Sequence, residues 1–260
     1  MKYLLLILPL LLFSCSKEDI IENKTITFNT IEVYQTRAGL DGLTDLYVIE
    51  GGEVLLHQTS SESTFGSPEI TLDYGQHNLV FIASKSTEPS ISNGIFSCNK
   101  VLDTYSKTLS INISSSSANT QSITLERCIY GITIIPKDVY KYSDIEIIIK
   151  DHCLSYYNNY GINSNEYHRV FDTTDLIGKT DALGFTVYGF LQQGEDRIDL
   201  VINFRNENGQ VEVSREVEDV PVEINKKTVL TGYFFDSSLS PTLTINTSWN
   251  TGQTIDYNSL

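Results

Sequence analysis

Apolar and polar residues alternate with a period of two along most of this chain, the spacing that turns one face of a β-strand to a core and the other to water. The clearest runs are Leu109, Ile111 and Ile113; Ile145, Ile147 and Ile149; and Ile198, Leu200, Ile202 and Phe204. Short turn sequences separate several of them. Glu50-Gly51-Gly52 stands between Leu46–Ile49 and Val54–His57, and Asn206-Glu207-Asn208-Gly209 between Ile198–Phe204 and Val211–Val217. Asp73-Tyr74-Gly75 likewise stands between Glu69–Leu72 and Asn78–Ala83, so each turn predicts an antiparallel pair. The runs add up to about a dozen strands at sandwich spacing, with no helix of three or more turns. From Leu154 to Leu183 the alternation lapses into Tyr, Asn, Asp and Gly, which predicts long exposed loops.

The first residues follow another pattern. After Lys2 an eleven-residue apolar run, Tyr3–Phe13, leads into Ser14-Cys15-Ser16-Lys17-Glu18-Asp19. That length lies within the roughly 7–15 residues of a secretory signal and is too short to span a bilayer. A small residue followed by Cys at the end of such a run resembles the lipobox of bacterial lipoproteins. The resemblance implies that residues 1–14 are removed and that Cys15 becomes a lipidated N-terminus. Several acyl chains, at about 0.8 kcal/mol per buried methylene, make a durable anchor. Lys17-Glu18-Asp19 resembles the export signal that sends lipoproteins of Bacteroidota outward, which implies a lipid-anchored protein on the surface of the outer membrane.

Composition sharpens the fold class. Four alanines and one methionine against fifteen tyrosines, with Ile, Val and Thr plentiful, favour an all-β chain. The net charge of −15 leaves no basic stripe for phosphates and argues against nucleic acid as a partner. With Cys15 lipidated, Cys98, Cys128 and Cys153 remain, and three thiols allow at most one internal disulfide. Cys128 sits in an apolar run and reads as a core residue; the other two stay open.

About 245 residues follow the signal, enough for one large or two small domains. The polar stretch Ser114–Thr120 interrupts the alternation, which resumes at Ile123 and Leu125 and leads into Ile129–Ile135. The expected organisation is a signal over 1–14, an acidic tether over 15–25, and two β-sandwich domains over 26–126 and 127–260. Tyr156-Tyr157-Asn158-Asn159-Tyr160 is a candidate contact surface, or else a set of rings packed on the domain's own sheet.

Catalytic patterns are missing. There is no Gly-x-Ser-x-Gly elbow, P-loop, dinucleotide fingerprint or zinc helix. His152-Cys153 is the one pair that invites a nucleophile reading. Neighbours on a strand point to opposite faces, so the expectation is a surface His beside a buried Cys. No enzyme, metal site or cofactor is expected.

Four segments carry a family resemblance. Leu125-Glu126-Arg127-Cys128-Ile129-Tyr130-Gly131-Ile132 resembles the start of the second domain of the fimbrillin family, the type V pilus subunits of Bacteroidota. Phe185–Leu191, then Val220–Gly232 with Asn225-Lys226-Lys227-Thr228-Val229-Leu230-Thr231-Gly232, and finally Ile245–Gly252 with its Trp249, follow in the family's order. The resemblance implies two tandem transthyretin-like, Greek-key β-sandwich domains. It also implies a lipoprotein precursor that becomes a pilus shaft, tip or anchor subunit, or a related adhesin. Its partners would be other pilus subunits, joined by strand exchange, and a host or bacterial surface ligand. In that family an arginine-specific protease removes the first strand, and Thr36-Arg37-Ala38 fits that place, so Arg37 and Ala38 are the candidate processing site. The departing segment would carry Ile26, Phe28, Ile31 and Val33 inward, with a register slip near Thr30. The alternative function is a surface glycan-binding lipoprotein of a carbohydrate-uptake system.

Overall fold

The computed structural model describes residues 22–32, 40, 42–138, 140–179, 184–234, 242–246 and 254–257, with 31–32 and the last two stretches as backbone alone. Strands account for nearly all regular structure, and the one helical element among the described residues is a 3-10 turn at Thr174–Leu176. The first half contributes β1 (Asn23–Glu32), β2 (Asp45–Glu50), β3 (Glu53–Thr59), β4 (Glu69–Asp73), β5 (Gly75–Ser84), β6 (Ser90–Ser92), β7 (Ile95–Ser97), β8 (Thr104–Ile113) and β9 (Thr120–Arg127). The second contributes β10 (Tyr130–Pro136), β11 (Asp144–His152), β12 (Ser155–Tyr157), β13 (Tyr160–Ile162), β14 (Asn165–Asp172), β15 (Phe185–Gly189), β16 (Arg197–Arg205), β17 (Val211–Pro221), β18 (Lys227–Gly232), β19 (Thr242–Asn246) and β20 (Thr254–Tyr257).

In the first half one sheet runs β3-β2-β5-β8-β9-β1-β4. β8 and β9 pair only at Tyr105↔Arg127 and Ser106↔Glu126, so the sheet turns back there and closes into two layers. Ile26, Phe28, Ile70 and Leu72 from one layer meet Leu46, Val48, Leu79 and Phe81 from the other. The Phe28 and Phe81 rings lie 5.3 Å apart across that core.

The second half repeats the plan. Sheet β14-β11-β16-β17 packs on β15-β10-β18-β19-β20. In chain order, β1, β2, β3, β4, β5, β8 and β9 hold the positions that β10, β11, β14, β15, β16, β17 and β18 hold in the second half. Each half carries one insertion outside this plan, β6–β7 and β12–β13. These two join into a sheet of their own, β13-β12-β7-β6, through Ser155↔Ser97 and Tyr156↔Phe96. Beneath it a third core gathers Phe96, Cys98, Ile129, Cys153, Tyr156 and Phe190 from both halves. Arg127, itself buried, donates to both carboxylate oxygens of Asp103 at 2.6 and 3.1 Å beside this core.

Two expectations are corrected. Asp73-Tyr74-Gly75 is not a hairpin: β4 pairs with β1 while β5 pairs with β2 and β8. The turn carries the chain from one layer to the other, which places Leu72 and Leu79 in the same core from opposite sides. The stretch from Leu154 to Leu183 holds strands β12, β13 and β14 rather than only loops. β14 is an edge strand with no fully buried residue, its inner positions being the half-buried Tyr167, Arg169 and Phe171, so its sequence lacks the apolar repetition of strands with a buried face. The Gly51-Gly52 and Asn206–Gly209 hairpins form as expected, as β2–β3 and β16–β17.

Candidate functional site

β1 fills a slot between two strands that do not otherwise meet. It pairs antiparallel with β4 from Asn23↔Asp73 to Thr27↔Glu69, and parallel with β9 from Thr27↔Thr120 to Glu32↔Leu125. Alternation from an Ile, a Phe and a Thr two residues apart sends Ile26, Phe28 and Thr30 inward. The first two are fully buried and Thr30 is nearly so. Burying an Ile or Phe contributes roughly 1.5–3 kcal/mol. Thr30 is accommodated because its hydroxyl donates to the Gly66 carbonyl at 2.8 Å, so no buried donor is left unpaired. The outer face is polar, with Thr25 and Thr71 hydroxyls 2.8 Å apart and Lys24 donating to the carbonyls of Ser115 and Ser117 in the β8–β9 loop.

The expected register slip near Thr30 does not occur. Pairing of residues 27–32 with 120–125 is unbroken, since the Thr30 hydroxyl finds its acceptor without a bulge. The segment that follows β1, residues 33–39, contains Val33, Arg37 and Ala38 and lies outside the described residues, as do Cys15, Lys17–Asp19 and Trp249. Of the polar Ser114–Thr120 stretch, residues 114–119 form the β8–β9 turn and Thr120 opens β9.

His152 and Cys153 are separated as neighbours on a strand should be, but the expected surface His is buried, at 1 % exposure. The His152 Nδ1 and the Tyr130 hydroxyl are 3.2 Å apart, and the ring stacks on Tyr167 at 4.4 Å. A Cβ at Gly189 would lie 2.6 Å from both His152 Cε1 and the Tyr130 hydroxyl, so glycine is needed for this close approach. Burial lowers the His152 pKa to about 4 and raises the Cys153 thiol to about 11, with Asp151 adding to the latter. A neutral imidazole and a protonated thiol in different environments have no shared chemistry. Cys98, Cys128 and Cys153 are all buried free thiols, and Cys128 takes the core position its sequence suggests. The tyrosines of the Tyr-rich stretch divide: Tyr156 is buried against Phe190, with ring centroids 5.1 Å apart, while Tyr157 and Tyr160 are exposed.

His168 is the opposite of His152. It lies on the outer face of β14 with Nδ1 3.0 Å from Glu146 and Nε2 2.7 Å from Glu166, and those hydrogen bonds raise its pKa. Burial tends to raise the Glu146 pKa, but hydrogen bonds from Asn203, His168 and Arg205, together with the Arg205 charge, hold it at about 2. Among the described residues no cluster of three or more His, Cys, Asp or Glu could hold a metal. No helix among them is long and apolar enough to cross a membrane.

Residues 71–258 match the profile of a family of unknown function, DUF6562, and the chain belongs to that family. The profile match is not to fimbrillin. No curated protein matches the sequence. Among solved structures, one described as "putative polysaccharide binding proteins" from Bacteroides thetaiotaomicron superposes with a TM-score of 0.57 at 13 % identity, covering 90 % of this chain and 98 % of that one. A "putative adhesin" from Bacteroides ovatus superposes with a TM-score of 0.53 at 13 % identity, covering 87 % and 95 %. The fimbrial anchor protein Mfa2 of Porphyromonas gingivalis superposes more loosely, with a TM-score of 0.45 at 10 % identity over 91 % and 100 %. At these identities the likeness to the two better superposed structures is one of fold.

Proposed function

We propose that this protein is a surface adhesin or pilus subunit, exported as a lipoprotein through Cys15 and joined to its neighbours by exchange of the first strand. It acts as a structural and adhesive protein rather than as an enzyme. The observation that carries the reading is the placement of β1. The first strand of the sandwich lies inside a sheet, with Ile26 and Phe28 fully buried, and it is followed within a few residues by Arg37. Removing it leaves a groove with unpaired main-chain groups on β4 and β9 and an apolar floor, which an extended strand from another subunit can fill. The fimbrillin-like segments and the fold shared with a structure described as a "putative adhesin" support the same reading.

Treating the purified full chain with an arginine-specific protease tests it. A new N-terminus at Ala38, accompanied by ladders of oligomers, is the expected result. Resistance at Arg37, or a cut that leaves a stable monomer, counts against strand exchange and favours an uncut anchor or a non-polymerising adhesin. Replacing Cys15 with Ala should abolish fatty-acid labelling and release the protein from membranes. Replacing Lys17, Glu18 and Asp19 with Ala should keep the lipid but shield the protein from protease added to whole cells.

A further inference from the structure

The two insertions that fall outside the repeat meet at a cleft of about 380 Å3. Its floor is the outer face of the first sandwich, with Ile49 of β2 and Val80 and Ile82 of β5, flanked by Asn78 and Thr108. One wall is the β12–β13 hairpin. Tyr157 pairs with Tyr160 across the two-residue turn Asn158-Asn159, whose φ angles are 48° and 71°. This is the turn geometry in which both central residues must adopt positive φ, and Asn tolerates it better than most residues. The hairpin tip is therefore a defined turn, and its base is fixed where the Tyr156 hydroxyl lies 2.6 Å from the Ser106 hydroxyl in the interior. A second wall forms where the Gly51-Gly52 and Asn93-Gly94 turns touch. A Cβ at Gly94 would lie 3.1 Å from the Gly52 Cα, so glycine lets the two turns approach; it would lie 3.4 Å from the Tyr157 ring, an ordinary contact.

The chemistry of this lining is selective. No charged residue lines the cleft, in a chain with 33 acidic and 18 basic residues. A charged ligand would find no counter-charge there, and a purely apolar one would leave the amides and hydroxyls unused. Asn78 accepts from the Ser110 hydroxyl at 2.6 Å through its carbonyl oxygen, which leaves its NH2 group to donate. Among the described residues the Asn158 amide and the Thr108 hydroxyl make no side-chain hydrogen bond within the protein. Tyr157 is 42 % exposed. An exposed aromatic ring, an aliphatic floor and several neutral donors and acceptors suit a ligand with one C–H face and a rim of hydroxyls.

We propose that this cleft binds a neutral carbohydrate, a terminal one- or two-sugar unit of a surface glycan. The sugar's C–H face lies on Tyr157 and its hydroxyls engage Asn78, Asn158 and Thr108. This goes beyond subunit assembly and does not depend on it, because β1 lies in the other layer of the sandwich, β9-β1-β4. The walls of the site come from the insertions that the repeated plan does not need, together with the Gly51-Gly52 turn, and its floor from the rigid strands β2, β5 and β8 of that plan, an arrangement in which binding residues commonly sit on a scaffold.

The test uses the uncut full chain, purified in a detergent without a sugar headgroup. Saturation-transfer NMR and a printed array present neutral oligosaccharides of glucose, galactose, mannose and N-acetylglucosamine, with uronic and sulfated oligosaccharides as charged counterparts. At least one neutral oligosaccharide should bind in preference to the charged ones. Tyr157→Ala should weaken it by about two- to tenfold, the loss expected for an aromatic platform. Asn158→Gly keeps the turn and removes only the amide, so a loss of binding with an unchanged melting temperature supports the site even if Tyr157→Ala folds poorly. Tyr74→Ala, at an exposed tyrosine away from the cleft, should leave binding unchanged. The proposal is overturned if no neutral oligosaccharide binds, if binding survives both cleft substitutions, or if charged oligosaccharides are preferred. Because assembly is read as ladders after cleavage and sugar binding on the intact monomer, either reading can fail without the other.

Discussion

The first strand of each sandwich occupies the same slot, and the two slots are secured differently. β10 pairs with β15 over Tyr130–Ile134 and with β18 over Gly131–Pro136, so both of its edges are bonded along most of its length. β1 pairs with β4 over its first half and with β9 over its second; past the β4 ladder its main-chain edge is held only by the Phe28 and Thr30 N–H groups, which donate to the Pro68 and Gly66 carbonyls of the loop before β4. β10 points Tyr130, Ile132 and Ile134 inward where β1 points Ile26, Phe28 and Thr30, and Tyr130 is held further by His152. β10 also runs on at both ends into β9 and β11, whereas only the C-terminal end of β1 leads into the rest of the sandwich. The same topology thus holds β10 by chain connections to the sandwich strands at both ends and β1 by one, and the proposed strand exchange rests on that difference.

The comparison is broken most directly by supplying each strand from outside. A chain that starts at Ala38 should self-associate or lose the cooperative melting of its first sandwich. A synthetic peptide of Asn23–Glu32 should restore a folded monomer whose melting temperature rises with peptide concentration. A ligand of the folded state at one hundred times its Kd adds about 2.7 kcal/mol. A chain lacking Tyr130–Pro136 should not be rescued by the matching peptide, because both flanking connections are lost with it. If both deletions are rescued equally, or neither is, the distinction between the slots is wrong.

Substitutions within the slots come next. Phe28→Ala should cost about 3–5 kcal/mol and Ile132→Ala about 2–5 kcal/mol in denaturant unfolding. Hydrogen exchange separates them. Phe28→Ala should speed exchange of the β1 and β4 amides while leaving β10 slow, whereas Ile132→Ala should loosen β10 and β18 together. Gly189→Ala should cost about 1–3 kcal/mol by forcing a methyl group against Tyr130 and His152, and its effect should stay in the second sandwich. An effect of Gly189→Ala on β1 exchange would mean that the slots are coupled.

The all-β class, two of the three turn pairings and the burial of Cys128 were legible because alternation and turn residues act locally. The repeat was not. Its equivalence rests on which strands pair at long range, and equivalent positions such as Phe28 and Ile132 share only an inward direction. The Asp73–Gly75 corner misled because the same turn residues that close a hairpin also serve a chain crossing between layers. The pairing of β6–β7 with β12–β13 could not be read either. Ser-Ile-Ser and Ile-Phe-Ser are too short to show a period, and the strands that join them are over fifty residues away. The Asn158-Asn159 turn did carry a signal, two adjacent Asn between tyrosines, which marks a tight hairpin as well as a loop. Glu146 and His168 were hidden because their partnership is made across strands.

The smallest effect expected is one of pH, and it touches only the second slot. The His152 pKa in the folded protein is about 4, below the value near 6.5 of an unfolded chain. Between those values the unfolded state binds a proton that the folded state refuses, so stability falls as pH drops below about 6.5. It is unaffected by His152 above that. His168 has the opposite sign. Its raised pKa means that its contribution is fully present below about 6.5 and is lost as pH rises through the folded value, so acidification does not cost stability there. Glu146, held at about 2, contributes above the usual carboxylate range and loses its contribution only at still lower pH. Moving from pH 7.5 to 5.5 therefore costs about 1.4 kcal/mol through His152, one pH unit below its unfolded value, while His168 gains stability over the same step, so the His152 effect is read locally. In hydrogen exchange the β10 amides around Tyr130 should lose protection over that step while β1 keeps its own. His152→Gln, which cannot take up a proton, should remove the step. An equal loss in both slots, or a step that persists in His152→Gln, would show that another group drives the acid response and that Tyr130–His152 is not what distinguishes β10.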